Sequence, residues 1–210
     1  MGPVGGTRGR VKLLAGLDTP YAIQVFLDSI PYSDDPFYRC PRRVLAEGKA
    51  HCFDGAMFAA AALRRSGHDP MLLDMRAVRD DDHVIALFRE HGRLGAVAKS
   101  NFVGLRFREP VYRTLRELVM SYFEAYYNVE REKTLRAYSV PLRLRAFDEL
   151  DWENDDGAME RIAVRLDRLR HIALLTPAME RGLSPMDDRS YTAGMQGTNN
   201  AGLYRPARGG

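Results

Sequence analysis

Along the chain, apolar residues switch between a helical and an alternating rhythm. In "TPYAIQVFLDSIPYS", Ile23, Phe26, Leu27 and Ile30 recur at helical spacing and predict a short amphipathic segment. "YSDDPFYRCPRRVLAEGKA" follows, turn-rich through Pro36 and Pro41. The next segment is a clear helix: Phe53, Ala56, Met57, Ala60 and Leu63 keep the i, i+3, i+4, i+7 pattern. It ends in "RRSG", with arginines in the last turn and Gly67 just past the end.

Three strands are predicted next: "MLLDM" over 71–75, the almost unbroken apolar run "HVIALF" over 83–88, and "LGAVA" over 94–98, entered through a turn at Gly92. Beyond them "EPVYRTLRELVMSYFEAYYN" predicts a second helix with Pro110 in its first turn. "MERIAVRLDRLRHIALL" predicts a third, after the acidic loop "LDWENDDG". The pattern therefore predicts an α+β fold, a helix packed on an antiparallel sheet with helices added C-terminally. The expected organisation is a Gly-rich flexible start over 1–10, one domain over 11–175, and a disordered tail over 176–210.

Composition narrows the function classes. The chain has 210 residues, enough for a substantial core, with 45% hydrophobic and 28% charged residues. Its 31 basic and 28 acidic residues leave a net charge of +3, and the basic residues are interspersed with acids, which argues against a nucleic-acid partner. No apolar run approaches the ~20 residues of a membrane span. The N-terminal stretch has no sustained apolar core, so no leader and no membrane partner are expected. The two cysteines, Cys40 and Cys52, read as free thiols of a reducing compartment, which makes the expected location cytoplasmic. Cys52, His83 and the loop acids Asp80, Asp81 and Asp82 do not supply a zinc ligand set, so neither metal nor cofactor is expected, and the acids read as solvated charge.

Cys52 carries the candidate chemistry. It stands at the start of the predicted helix, where unpaired N–H groups and the helix dipole favour a thiolate. A nucleophilic cysteine also needs a base, and the base needs a group to orient it. His83, at the mouth of the strand "HVIALF", is the candidate base. His51 adjoins the cysteine but would point elsewhere, while His68, His91 and His171 fall at a helix end, in a turn and in a distant helix.

The order "G-x-x-H-C-x-D-G-A…LRRSGHDP", then "DHVIALF…GRLGAVAKSN", resembles the core of the transglutaminase-like superfamily, over roughly Gly48 to Asn101. That resemblance implies a papain-like fold, a cysteine at a helix start, a histidine on the next strand but one, and acyl transfer through a thioester. The same cysteine helix is similar to that of arylamine N-acetyltransferases, which are longer. The superfamily's usual aspartate falls here on Ala98, leaving Asn101 or Ser100 as the nearest residues to orient His83. The expected catalytic set is thus Cys52, His83, Asn101 and Ser100. The expected activity is a cysteine-dependent hydrolase or transamidase acting on a peptide, a protein or a small amide. The alternative is a catalytically decayed module of the same fold that binds a peptide or protein partner. One oxyanion donor is expected in the Cys52 N–H; nothing ties the polar Gln24 to a second.

Overall fold

The protein is described from a computed structural model covering residues 16–206. The expected flexible start at 1–10 lies outside those residues. Helix α1 (Pro20–Ser29) starts under a Thr19 cap and α2 (Pro41–Glu47) ends on Gly48 at φ 65°. Helix α3 (Cys52–Arg65) carries the cysteine, as its apolar period requires. The sheet begins with β1 (Met71–Ala77), β2 (His83–Glu90) and β3 (Arg93–Val97), paired antiparallel in sequence order.

The second half departs from expectation. "REPVY" is strand β4 (Arg108–Tyr112), and only Leu115–Met120 forms a helix, α4. The alternation of half-buried and exposed positions in β4, with Val111 exposed, is that of an edge strand, and it overrides the helical reading through Pro110. Strands β5 (Leu135–Ser139) and β6 (Leu142–Arg143) pair with β1. Helix α5 (Gly157–Asp167) stops short of the predicted end, because His171–Ala173 forms β7 against β5. The strand order is β4-β3-β2-β1-β5-β7, with β6 beside β1. The tail, expected to be disordered, contains α6 (Pro177–Arg181) and α7 (Asp188–Gly194), followed by a single turn at Asn200–Gly202. No helix among the described residues is long and apolar enough to cross a membrane.

The sheet sorts its side chains by strand parity, as a period of two demands. Leu72, Val84, Ala86, Phe88 and Val97 face one layer, formed with α1, α2, α3 and α5. Leu73, Met75, Ile85, Leu87, Leu94 and Ala96 face the other, against α4 and the aromatic run Tyr122, Phe123 and Tyr126. The aromatic side chains of "YFEAYYN", Tyr122, Phe123, Tyr126 and Tyr127, are therefore buried. Arg108, at the start of β4, stacks 3.8 Å over the Tyr122 ring.

The helix that carries Cys52 is clamped at its first turn. A Cβ on Gly55 would lie 2.2 Å from the Lys99 Cβ, so glycine lets the end of β3 cross the helix in direct contact. Lys99 is buried and donates to the carbonyls of Leu27 and Ile30, closing the last turn of α1. Gly55→Ala should destabilise the protein by about 1–3 kcal/mol, the range for overpacking a well-filled contact. A chemical denaturation series comparing it with Ala56→Gly, which also changes α3, separates that clash from helix propensity.

Candidate active site

Cys52 is the first residue of α3, and His51 is its cap. The His51 Nδ1 accepts from the N–H groups of Phe53 and Asp54, which leaves that nitrogen no lone pair for a thiol proton. Burial, and then the charge of Arg39, lower the His51 pKa to about 4. The histidine adjacent in sequence is thus a structural cap.

Beneath the cap lies a buried ion network. The Arg39 side chain is fully buried; its N–H donates to one Asp54 carboxylate oxygen at 2.8 Å and its guanidinium to the other at 3.3 Å. Asp35 and Glu47 complete the charge around it. Arg39 thereby binds the first turn of α3 to the segment ahead of α2.

The thiol lies at the end of the sheet. Its sulfur is 3.9 Å from the Asp82 carbonyl, within range of a weak S–H donor, and part of its surface still faces the cleft. Its pKa is pushed up to about 12, first by burial and then by the charges of Asp81 and Asp54. The N–H groups of Val84 and Phe53 pull the other way and lose. The helix start does supply the dipole expected of it, but in this arrangement removal from water outweighs it.

His83 approaches from the other face. Val84 belongs to the α3 side of β2, so His83 points to the opposite layer, where its ring sits edge-on to Tyr126 at 6.4 Å. Cys52 and His83 nevertheless line one small cavity of about 30 Å³, together with Tyr32, Asp81, Ser100, Asn101 and Tyr126. That is room for a water molecule. The His83 Nε2 is 2.8 Å from the Leu105 carbonyl. A carbonyl only accepts, so Nε2 carries the proton and Nδ1 keeps its lone pair. Burial lowers the His83 pKa to about 4, against the pull of the Leu105 bond.

Neither residue expected to orient His83 contacts it through a hydrogen bond. The Ser100 hydroxyl accepts from the Phe102 N–H. The Asn101 amide bonds to the C-terminal segment: it donates to the carbonyls of Asn199 and Gly202 and accepts from the Asn199 N–H. Asp80, Asp81 and Asp82 are not simply solvated. The Asp80 carboxylate accepts from Thr134, the Asp82 carboxylate from the Ala77 N–H, and the Asp81 carbonyl from Tyr126. Gln24 pairs with both backbone groups of Ala98 and so fixes the end of β3.

One site residue had no signal in the sequence. Tyr32 is held beside the cysteine by a parallel bridge to Ala50, and it lines both the small cavity and the outer cleft with Cys52. Burial, then the neighbouring Cys52 and Asp81, raise its pKa, so it stays protonated and able to donate. Outside the small cavity, Cys52, Tyr32, Tyr38, His51, Asp74 and Asp82 line a cleft of about 390 Å³. Asp74, one of the lining residues, forms a 2.8 Å pair with His171, whose second ring nitrogen is engaged with the Leu169 carbonyl. Among the described residues no group of three or more His, Cys, Asp or Glu side chains is placed to hold a metal ion.

No protein-family model matches the chain, and no curated protein matches it. Among solved structures, LapG of Legionella pneumophila aligns with a TM-score of 0.36 and 17% identity, covering 45% of this chain and 65% of LapG. LapG from an EGTA-treated sample aligns with the same score and identity, over 46% and 63%. The chain thus spans just under two thirds of those proteins. A superposition at that level assigns no activity.

The buried thiol sets an expectation for its reactivity. Iodoacetamide alkylation of Cys52, followed by peptide mapping, should still be accelerating above about pH 9.5, beyond the ~8.5 midpoint of a free cysteine. A plateau below about pH 8 would show a thiolate-stabilising site instead.

Proposed function

We propose that the chain is a cysteine-dependent acyl-transfer enzyme with a transglutaminase-like core, acting on amide or peptide bonds. The observation that carries this reading is the shared cavity of Cys52 and His83, with the His83 Nε2–H held on the Leu105 carbonyl. That bond selects the tautomer whose Nδ1 can take a proton. In this mechanism a backbone carbonyl does the orienting work for which Asn101 and Ser100 were candidates.

The steps follow from those groups. Cys52 Sγ attacks the substrate carbonyl carbon as its proton passes to His83 Nδ1. The carbonyl oxygen becomes an oxyanion that accepts from the Cys52 N–H and from the Tyr32 hydroxyl, whose residue lines the same cavity. The C–N bond breaks, the leaving amine takes the proton from His83, and a thioester remains on Cys52. Water or an acceptor amine then attacks the thioester, giving up a proton to His83, and the thiol is restored. The choice between water and amine defines hydrolase against transamidase.

The second reading, a module that binds a polypeptide without turning it over, draws on one observation. Asn101, beside the cavity, is fully engaged with the chain's own C-terminal main chain.

Acylation separates the two. With a p-nitrophenyl ester, the acyl enzyme on Cys52 is read by intact mass and the nitrophenolate by absorbance. His83→Ala should slow acylation about 10²-fold or more, the scale of general-base catalysis. Tyr32→Phe should slow it about 10–10³-fold, up to the scale of one oxyanion donor. Cys52→Ala should abolish it without lowering the Tm by more than a few degrees. Acylation that is indifferent to both His83 and Tyr32 would leave the binding module.

A further inference from the structure

The C-terminal segment after Gly197 lies across the site. Gly202 and Tyr204 line both the 30 Å³ cavity of Cys52 and His83 and the larger cleft, and Ala201 and Leu203 line the cleft. The segment is held mainly through its backbone. The Asn101 side chain grips the N–H and carbonyl of Asn199 and the carbonyl of Gly202, at 2.7, 2.9 and 3.2 Å. The Asn199 side chain donates to the Tyr32 carbonyl at 3.2 Å. Gly202 lies flat on the Tyr32 ring, where a Cβ would come within 3.0 and 3.1 Å of ring carbons. The paired N–H and carbonyl of one residue, here Asn199, are what an amide reads on any main chain whatever its side chains, while the Gly202 carbonyl reaches Asn101 only through the turn at Asn200–Gly202.

The attachment is slight. Ala201 and Tyr204 are exposed, and the turn before the segment passes through Gly197 at φ 75°, a ready pivot. Few buried contacts and a hinge are the marks of a segment that opens at small cost.

We propose that Asn199–Tyr204 is an autoinhibitory strap, which fills the polypeptide cleft in cis and must leave Asn101 and Tyr32 before an extended polypeptide substrate can reach Cys52. The proposal rests on the acyl-transfer reading only for what it calls the substrate; the covering itself is independent of turnover. The neutral thiol and neutral imidazole are the state expected of a covered pair, because both are shifted chiefly by burial. Lifting the strap restores water to both, which lowers the thiol pKa and raises that of the imidazole.

Access to Cys52 tests this in the full chain. Iodoacetamide labelling at fixed pH, mapped by peptide mass, reads Cys52, with the buried Cys40 as internal control. Gly202→Val and Asn199→Ala should each speed labelling of Cys52 about fivefold or more, what losing one net hydrogen bond does to a closed–open equilibrium, and leave Cys40 unchanged. A synthetic peptide of residues 197–206 should slow the variants again, and a scrambled peptide should not. If Gly202→Val fails to fold, Asn199→Ala carries the comparison. Labelling of Cys52 that stays within about twofold of the parent in the folded variants, or that rises equally at Cys40, overturns the strap. Faster labelling together with acylation that ignores His83 keeps the strap and removes the enzyme. Unchanged labelling with His83-dependent acylation does the reverse.

Discussion

The burial of Arg39 against Asp54 is the constraint around which the rest of the site is organised. A guanidinium without exposed surface is tolerable only when its charge is met, and Asp54 meets it from the first turn of α3. Burial raises the Asp54 pKa to about 6 even against the pull of Arg39. The pair must form if the helix is to start at Cys52, because it binds that turn to the chain ahead of α2. His51 then finds the free N–H groups of the same turn and caps them, and Lys99 presses across Gly55 from β3. The cysteine is consequently held between fixed partners on three sides, the preorganisation that the proposed nucleophile role requires.

The same packing decides the charge state. A helix start and two backbone N–H groups favour a thiolate, whereas burial and two carboxylates disfavour it. In the closed arrangement the second group wins. A thiol kept neutral by burial is protected from alkylation and oxidation, since the thiolate is the reactive species. On the proposed acyl-transfer and strap readings, competence and protection are two positions of one equilibrium, governed by how much water reaches the sulfur.

Legibility followed the strength of the periodic signal. The run from Phe53 to Leu63 and the three strands after it were readable because one buried face imposes its period on the side chains. The second half misled through length: Pro110 and a loose apolar stripe suggest one long helix, but a bulged edge strand and a six-residue helix satisfy the same residues. His171 was read into a helix for the same reason, although three residues of edge pairing to β5 suffice to end the helical periodicity. The tail looked disordered by composition, and its order comes from partners it meets at long range, such as Asn101 and Tyr32.

The sequence by itself determined that Cys52 would open a helix and that His83 would open the second strand after it, because capping and period are local. Only the tertiary structure decided what surrounds them. The partner of His83 is the Leu105 carbonyl, and a backbone carbonyl is present at every residue, so no residue type announces it. Tyr32 reaches the thiol through a bridge to Ala50, and the strap reaches it from about 150 residues downstream in sequence. Whether the helix start yields a thiolate depended on burial, a property of the assembled chain that local spacing does not encode.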